Sequence, residues 1–245
     1  MRKIIFLFLI VNFTAFGQIK KMKPISELIN KDEPGWELVS EWIDQATNQI
    51  EVLEKNVKQA DSALYQTQVT TRSPMGAIIH ETGGILVDNG WIRILGSGNE
   101  KLDRTLPKWN KGKTFDEFGV QPSILLIADD VVGGFFGLNG GALGKDLGKV
   151  YYFAPDSLNW EPMDIGYSDF IWWTFTGNLT DFYSNLRWTD WTEDINEING
   201  NQGYSFYPFL WTEHKSINDL SKKAVPISEI WALQQDVVKQ LNNRE

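Results

Sequence analysis

The chain has 245 residues, 42% of them hydrophobic and 22% charged, a balance that suits a soluble protein with a substantial core and excludes an intrinsically disordered one. Its formal net charge of −9 repels phosphate backbones and anionic lipid surfaces, which argues against nucleic acid or a polyanionic membrane face as partner. Without cysteine there is no disulfide framework, so stability rests on packing, to which 11 Trp, 7 Tyr and 14 Phe contribute.

The first residues read as an export leader. Arg2 and Lys3 precede an unbroken apolar run from Ile4 to Val11, and Ala15-Phe16-Gly17 carries small residues where a signal peptidase cuts. The run is short of the ~20 apolar residues that a spanning helix needs, so no stable membrane span is expected. We expect a cleavable signal peptide over 1–17, a flexible stub over 18–23 and one α+β domain over 24–245, exported to the periplasm or beyond the cell. Cleavage would remove Arg2 and Lys3, leaving 21 basic against 32 acidic residues, a net −11.

In chain order, Asp32-Glu33-Pro34 opens a helix with Trp36, Val39, Trp42, Ile43 and Ala46 at helical spacing, and Val57 to Gln66 forms a second. Ala77 to His80, Ile85 to Asp88 and Trp91 to Leu95 read as a three-strand meander, with Asn89-Gly90 as a hairpin turn. Residues 96–121 form a long polar connection with one short helix near Phe115. Strands follow at Ile124 to Ala128, Val132 to Leu138, Val150 to Ala154 and around Trp160. Helices return after Tyr167, with Ser168 and Asn178 as caps, and Pro226 to Leu241 closes the chain. Strands grouped in the middle, with helices before and after, predict an α+β fold: a central curved, mainly antiparallel sheet with helices from both ends of the chain packed on it.

The chemistry-bearing motifs are each incomplete. The glycine-rich stretch from Gly133 to Gly144 fails as a phosphate loop, because Gly144-Lys145 is followed by Asp146 and Asn139 stands where the first glycine belongs. It reads as tight turns. Asp129-Asp130 could hold a cation or share a proton only if the chain turns there, since neighbours on a strand face opposite ways; the pair reads as a strand-end cap. His80-Glu81 has no second metal-binding histidine nearby, and two His without Cys make no ordinary structural zinc site. Gly96-Ser97-Gly98 is not a nucleophile elbow. No metal or cofactor is expected. Trp172, Trp173, Trp188, Trp191 and Trp211 leave two readings open, an aromatic-rich core or exposed rings that bind sugars or a protein.

Thr70-Thr71-Arg72-Ser73-Pro74, Glu81-Thr82-Gly83-Gly84, Gly90-Trp91, Ala128-Asp129-Asp130, Asn139-Gly140-Gly141-Ala142, Tyr151-Tyr152-Phe153-Ala154-Pro155-Asp156 and Ser205-Phe206-Tyr207-Pro208 resemble the uncharacterised bacterial family catalogued as domain of unknown function 2625. The resemblance spans roughly Pro24 to Leu233 and implies no assigned activity. The Asn-Gly-Gly turn, the Val-Tyr-Tyr-Phe strand and the aromatic helix after Ser168 are also similar to the SUKH superfamily, α+β proteins that include bacterial immunity proteins; an export signal departs from that pattern.

Two functional readings follow. One is a non-catalytic binding module with a basic protein partner. The other is a glycan-binding or glycan-hydrolysing envelope protein. The candidate binding residues are Arg72, Glu81, Asp129, Asp130, Asn139, Trp172, Trp188 and Trp191.

Overall fold

Short apolar runs separated by tight turns pair, in the middle of the chain, into one seven-stranded antiparallel sheet. The computed structural model describes residues 22–243; the expected leader, its cut site and most of the stub lie outside them. The strands are β1 (Ile50–Leu53), β2 (Gly84–Val87), β3 (Ile92–Leu95), β4 (Ile124–Asp130), β5 (Phe135–Asn139), β6 (Lys149–Phe153) and β7 (Trp160–Gly166). Their spatial order is their sequence order, so the sheet is an open meander with β1 and β7 as its edges.

Helices cover both faces. Before the β2–β3 hairpin come α1 (Ile25–Leu28), α2 (Gly35–Asp44), α3 (Val57–Thr67) and α4 (Pro74–Glu81); α5 (Leu106–Asn110) lies between β3 and β4. After the sheet come α6 (Tyr167–Thr176), α7 (Leu179–Phe182), α8 (Trp191–Asn196), a second small sheet of β8 (Gln202–Tyr207) and β9 (Ser221–Pro226), and α9 (Ile227–Asn242). Adjacent residues on β5 display the layering, because strand neighbours point to opposite faces. Phe136 packs on Phe170 and Trp173 of α6. Phe135 stacks on Trp109 of α5 and meets Trp231 of α9 edge-on. The α+β class and the helices contributed from both ends of the chain are therefore as the sequence predicts. Among the described residues no helix is long and apolar enough to cross a membrane.

Three local expectations change and one holds. Ala77 to His80 is helical, not a strand: the Ser73 hydroxyl accepts from Gly76 N–H at 3.1 Å, Pro74 opens the first turn, and these start signals override an ambiguous apolar run. The hairpin turn is centred on Asn89-Gly90 as expected: both adopt positive φ, Trp91 N–H bonds back to the Asp88 carbonyl at 3.0 Å, and Asp88 joins them at positive φ. The short helix of the long connection lies at Leu106–Asn110, capped by Thr105, rather than near Phe115. Helix α6 starts at Tyr167, so Ser168 lies inside it and Gly166 precedes it.

One residue outside the predicted set completes the β3 side of β4. The β3–β4 ladder ends at the Ile94–Ala128 pair, so the Leu126 backbone groups have no strand partners on that side. Buried Asn110 supplies them: its Oδ1 accepts from Leu126 N–H at 2.7 Å and its Nδ2 donates to the Leu126 carbonyl at 2.8 Å. Satisfying both groups avoids about 1–3 kcal/mol for each buried orphan.

Candidate functional site

The two adjacent aspartates at the end of β4 are fully buried and serve opposite layers. Asp129 faces the side of Phe135, being its cross-strand partner. It accepts from Arg93 Nε of β3 at 2.6 Å and takes both terminal nitrogens of Arg104, whose Nη2 also donates to the Gly200 carbonyl at 2.7 Å. Asp130 faces the other layer. Its Oδ1 accepts from the backbone N–H groups of Val132 and Gly134, and its Oδ2 accepts from the hydroxyls of Tyr152 and Tyr183 at 2.7 and 3.2 Å. Gly134 is required there, since a Cβ would lie 2.2 Å from the Tyr152 hydroxyl. The turn-capping role expected of an aspartate at a strand end is thus filled by Asp130.

Burial raises the Asp130 pKa, and its bonds to Tyr152 and Gly134 and the nearby Arg93 offset that only in part. The same burial, with the Asp130 charge, holds the hydroxyls of Tyr152 and Tyr183 well above their ordinary value, so both remain donors.

The remaining candidates are dispersed. Glu81 ends α4 and bridges Lys55 Nζ and His80 Nδ1, each at 2.6 Å, while His80 Nε2 meets Asp61 at 3.2 Å. Burial works to raise the Glu81 pKa, but hydrogen bonds from Lys55 and His80 and their charges outweigh it and hold it low. Glu81 shares no partner with either aspartate. Arg72 forms an exposed ion pair with Glu33. Among the described residues no three His, Asp or Glu side chains come together as a metal site. Ser97 is buried and donates to the Thr82 carbonyl.

The tryptophans divide. Trp188 is buried and Trp191 half-buried; both pack on the fully buried Trp91, and the Arg187 guanidinium lies 4.2 Å from the Trp191 ring and 4.9 Å from that of Trp91. Arg187 also pairs with Asp88. This cluster ties the hairpin turn to the α7–α8 region and is core rather than free surface. Trp172 is the exposed member of the five, at 37%. It meets Trp42 at 6.5 Å and lines an open cleft of about 310 Å³ with Glu41, Gln45, Ser168 and Asp169.

Asn139 organises a different concavity. From the end of β5 its Oδ1 accepts from Gly141 and Leu143 N–H, and its Nδ2 donates to the Gly144 and Asp146 carbonyls and to Asp146 Oδ1. The loop so fixed forms one wall of a groove of about 370 Å³ with a mixed lining, Met75, Leu106, Leu125 and Leu138 beside Gln66, Gln68 and Gln121. Val120 on one lip and Leu147 on the other are 55% and 66% exposed.

The family described as protein of unknown function DUF2625 matches residues 25–230. The chain belongs to that family. It is similar to the uncharacterised protein YbfG of Escherichia coli (strain K12), with 43% identity over 213 residues, 87% of this chain and 96% of that one. It is similar also to an uncharacterised protein of Haemophilus influenzae (strain Rd), with 43% identity over 207 residues, 84% of this chain and 91% of that one. No solved structure matches. The family span runs from α1 into α9, so it takes in both aspartates and the groove.

Neither Arg93 nor Arg104, nor the Tyr152–Tyr183 pair, stood out in the sequence. The signal for Arg93 was present: a charge between Ile92 and Ile94 on a strand buried on both faces requires an opposite charge opposite it.

The pH dependence of Asp130 follows from its environment. The folded protein binds the Asp130 proton more tightly than the unfolded chain does, so this stabilising contribution is full below the ordinary carboxylate pKa and is lost as pH rises through the folded value. Urea unfolding of wild type and Asp130→Asn across pH 4 to 8 should therefore show the variant's relative stability improving with pH. A difference that stays constant across that range would contradict the raised pKa.

Proposed function

We propose that this is an exported, non-catalytic binding protein whose groove beside the Asn139 loop takes a segment of a protein partner bearing apolar and basic residues. The observation that carries this reading is the groove itself: a concave surface of mixed lining in which the apolar side chains of Val120 and Leu147 are left open to solvent. The candidate carboxylates support it as well, because Asp129, Asp130 and Glu81 are all engaged in internal bonds and no two of them share a cleft with an exposed indole. The net charge of −9, or −11 without the leader, would draw a basic partner in and speed encounter. Export rests on the leader pattern of 1–17.

The reading predicts a defined envelope partner retained at low salt and released as salt rises. Val120→Asp with Leu147→Asp should lose that partner at least tenfold while keeping the wild-type unfolding transition. A partner retained equally by the double variant would sink the groove as the docking site.

A second reading draws on the Trp42–Trp172 cleft, where an exposed indole stands beside Glu41 and Asp169, an arrangement that suits a sugar ring stacked on Trp with carboxylates accepting its hydroxyls. It supports glycan binding without hydrolysis. Soluble cell-wall oligosaccharides should then quench Trp fluorescence saturably, and Trp172→Ala should abolish the quench; an unchanged signal in wild type would remove this reading.

A further inference from the structure

Three times the fold builds the same triad, a cation that lies over an indole ring and pairs with a carboxylate. Arg104 lies 4.5 Å from the Trp109 ring and pairs with Asp129. Arg187 lies 4.2 Å from the Trp191 ring and pairs with Asp88. Lys222 lies 5.3 Å from the Trp188 ring, and its Nζ meets Asp194 Oδ2 at 3.1 Å. In each triad the ring quadrupole and the carboxylate both stabilise one positive charge.

The Trp42–Trp172 cleft holds the indoles and carboxylates of this triad without its cation. It is walled by Glu41, Trp42 and Gln45 of α2 and by Ser168, Asp169 and Trp172 of α6. Residues three or four apart share a helix face, which sets Ser168 and Asp169 beside Trp172 and Gln45 beside Glu41. Glu37 and Asp44 fall on the Glu41 face by the same spacing, and both are exposed. No lysine, arginine or histidine lines the cleft. Among the described residues neither Glu41 nor Asp169 joins an ion pair, and no cation lies over Trp42 or Trp172. Asp169 accepts a single long bond, from Gly166 N–H at 3.4 Å.

We propose that the ligand supplies the missing cation: the cleft binds a protonated amine carried on a sugar ring, an unacetylated hexosamine unit of a glycan. The proposal rests on the glycan reading of this cleft and names the sugar class. The exposed face of Trp172 takes the C–H face of the ring and attracts the positive charge. Glu41 and Asp169 accept from the ammonium in charge-assisted hydrogen bonds. A neutral sugar leaves both carboxylates uncompensated, and an acidic one is repelled by them. The shape favours a sugar unit within a chain over a free quaternary ammonium ion, which is held in an aromatic cage. Here two rings meet edge-on at 63° and the cleft of about 310 Å³ stays open.

The test is calorimetric titration of the full chain at low salt and mildly acidic pH with a glucosamine tetramer, its N-acetylated counterpart and tetralysine. The glucosamine tetramer should bind about tenfold or more tighter than the acetylated one, and added salt should shrink that preference. Glu41→Gln and Asp169→Asn should each lower affinity for the glucosamine tetramer about threefold or more while leaving that for the acetylated sugar unchanged. Both residues are exposed, so the variants should keep the wild-type unfolding transition. Equal affinity for the two sugars overturns the amine assignment and leaves the glycan reading standing; binding of neither sugar overturns both. Tetralysine bound as tightly as the amino sugar overturns the sugar and points to a peptide amine. A preference that survives in the Glu41→Gln, Asp169→Asn double variant overturns this cleft as its location.

Discussion

The ion cluster of Asp129 with Arg93 and Arg104 is the constraint around which the rest of the molecule is arranged. It fixes the strand pair β3–β4 through Arg93, the long connection after β3 through Arg104, and the α8–β8 link through the Gly200 carbonyl. A carboxylate buried to this degree cannot stand alone, and neither can its two cations; removing one partner from such a group costs about 3–5 kcal/mol. Asp130 does the matching work on the other face, drawing Tyr152 of β6 and Tyr183 next to α7 onto the turn after β4. Two consecutive acidic residues, pointing opposite ways because they lie on a strand, thereby pin both helical layers to one central strand.

That arrangement decides what is left for function. The candidate carboxylates Asp129, Asp130 and Glu81 are all engaged in internal bonds. The ring-rich segments Trp91, Trp188 and Trp191 form a core wedge around Arg187 instead of a display surface. The concavities that face solvent include the groove beside the Asn139 loop and the Trp42–Trp172 cleft.

The α+β class, the meander from β4 to β7 and the long terminal helix were legible because period-2 and period-3.6 apolar patterns survive in the sequence. Asn178 was legible as a cap for the same local reason: its side chain accepts from Asp181 N–H. Ala77 to His80 misled because three apolar residues and a histidine fit either period, and the deciding groups, Ser73 and Pro74, lie just outside the run. β8 and β9 were missed since Ser221 to Pro226 carries two lysines and is largely exposed, so its strand character comes from pairing rather than pattern. Of the candidate site residues, Asp129, Asp130 and Asn139 proved to be organising positions, but their partners Arg93, Arg104, Tyr152 and Tyr183 lie 22 to 53 residues away and depend on register that no local signal encodes.

The most direct test of this account is a double-mutant cycle between Asp129 and Arg104, using Asp129→Asn, Arg104→Gln and the double variant in equilibrium urea unfolding. A structural ion cluster predicts a coupling of about 2 kcal/mol or more, with the double variant far less damaged than the sum of the single ones. Additivity within ~0.5 kcal/mol would contradict it, and would free Asp129 for a role in chemistry.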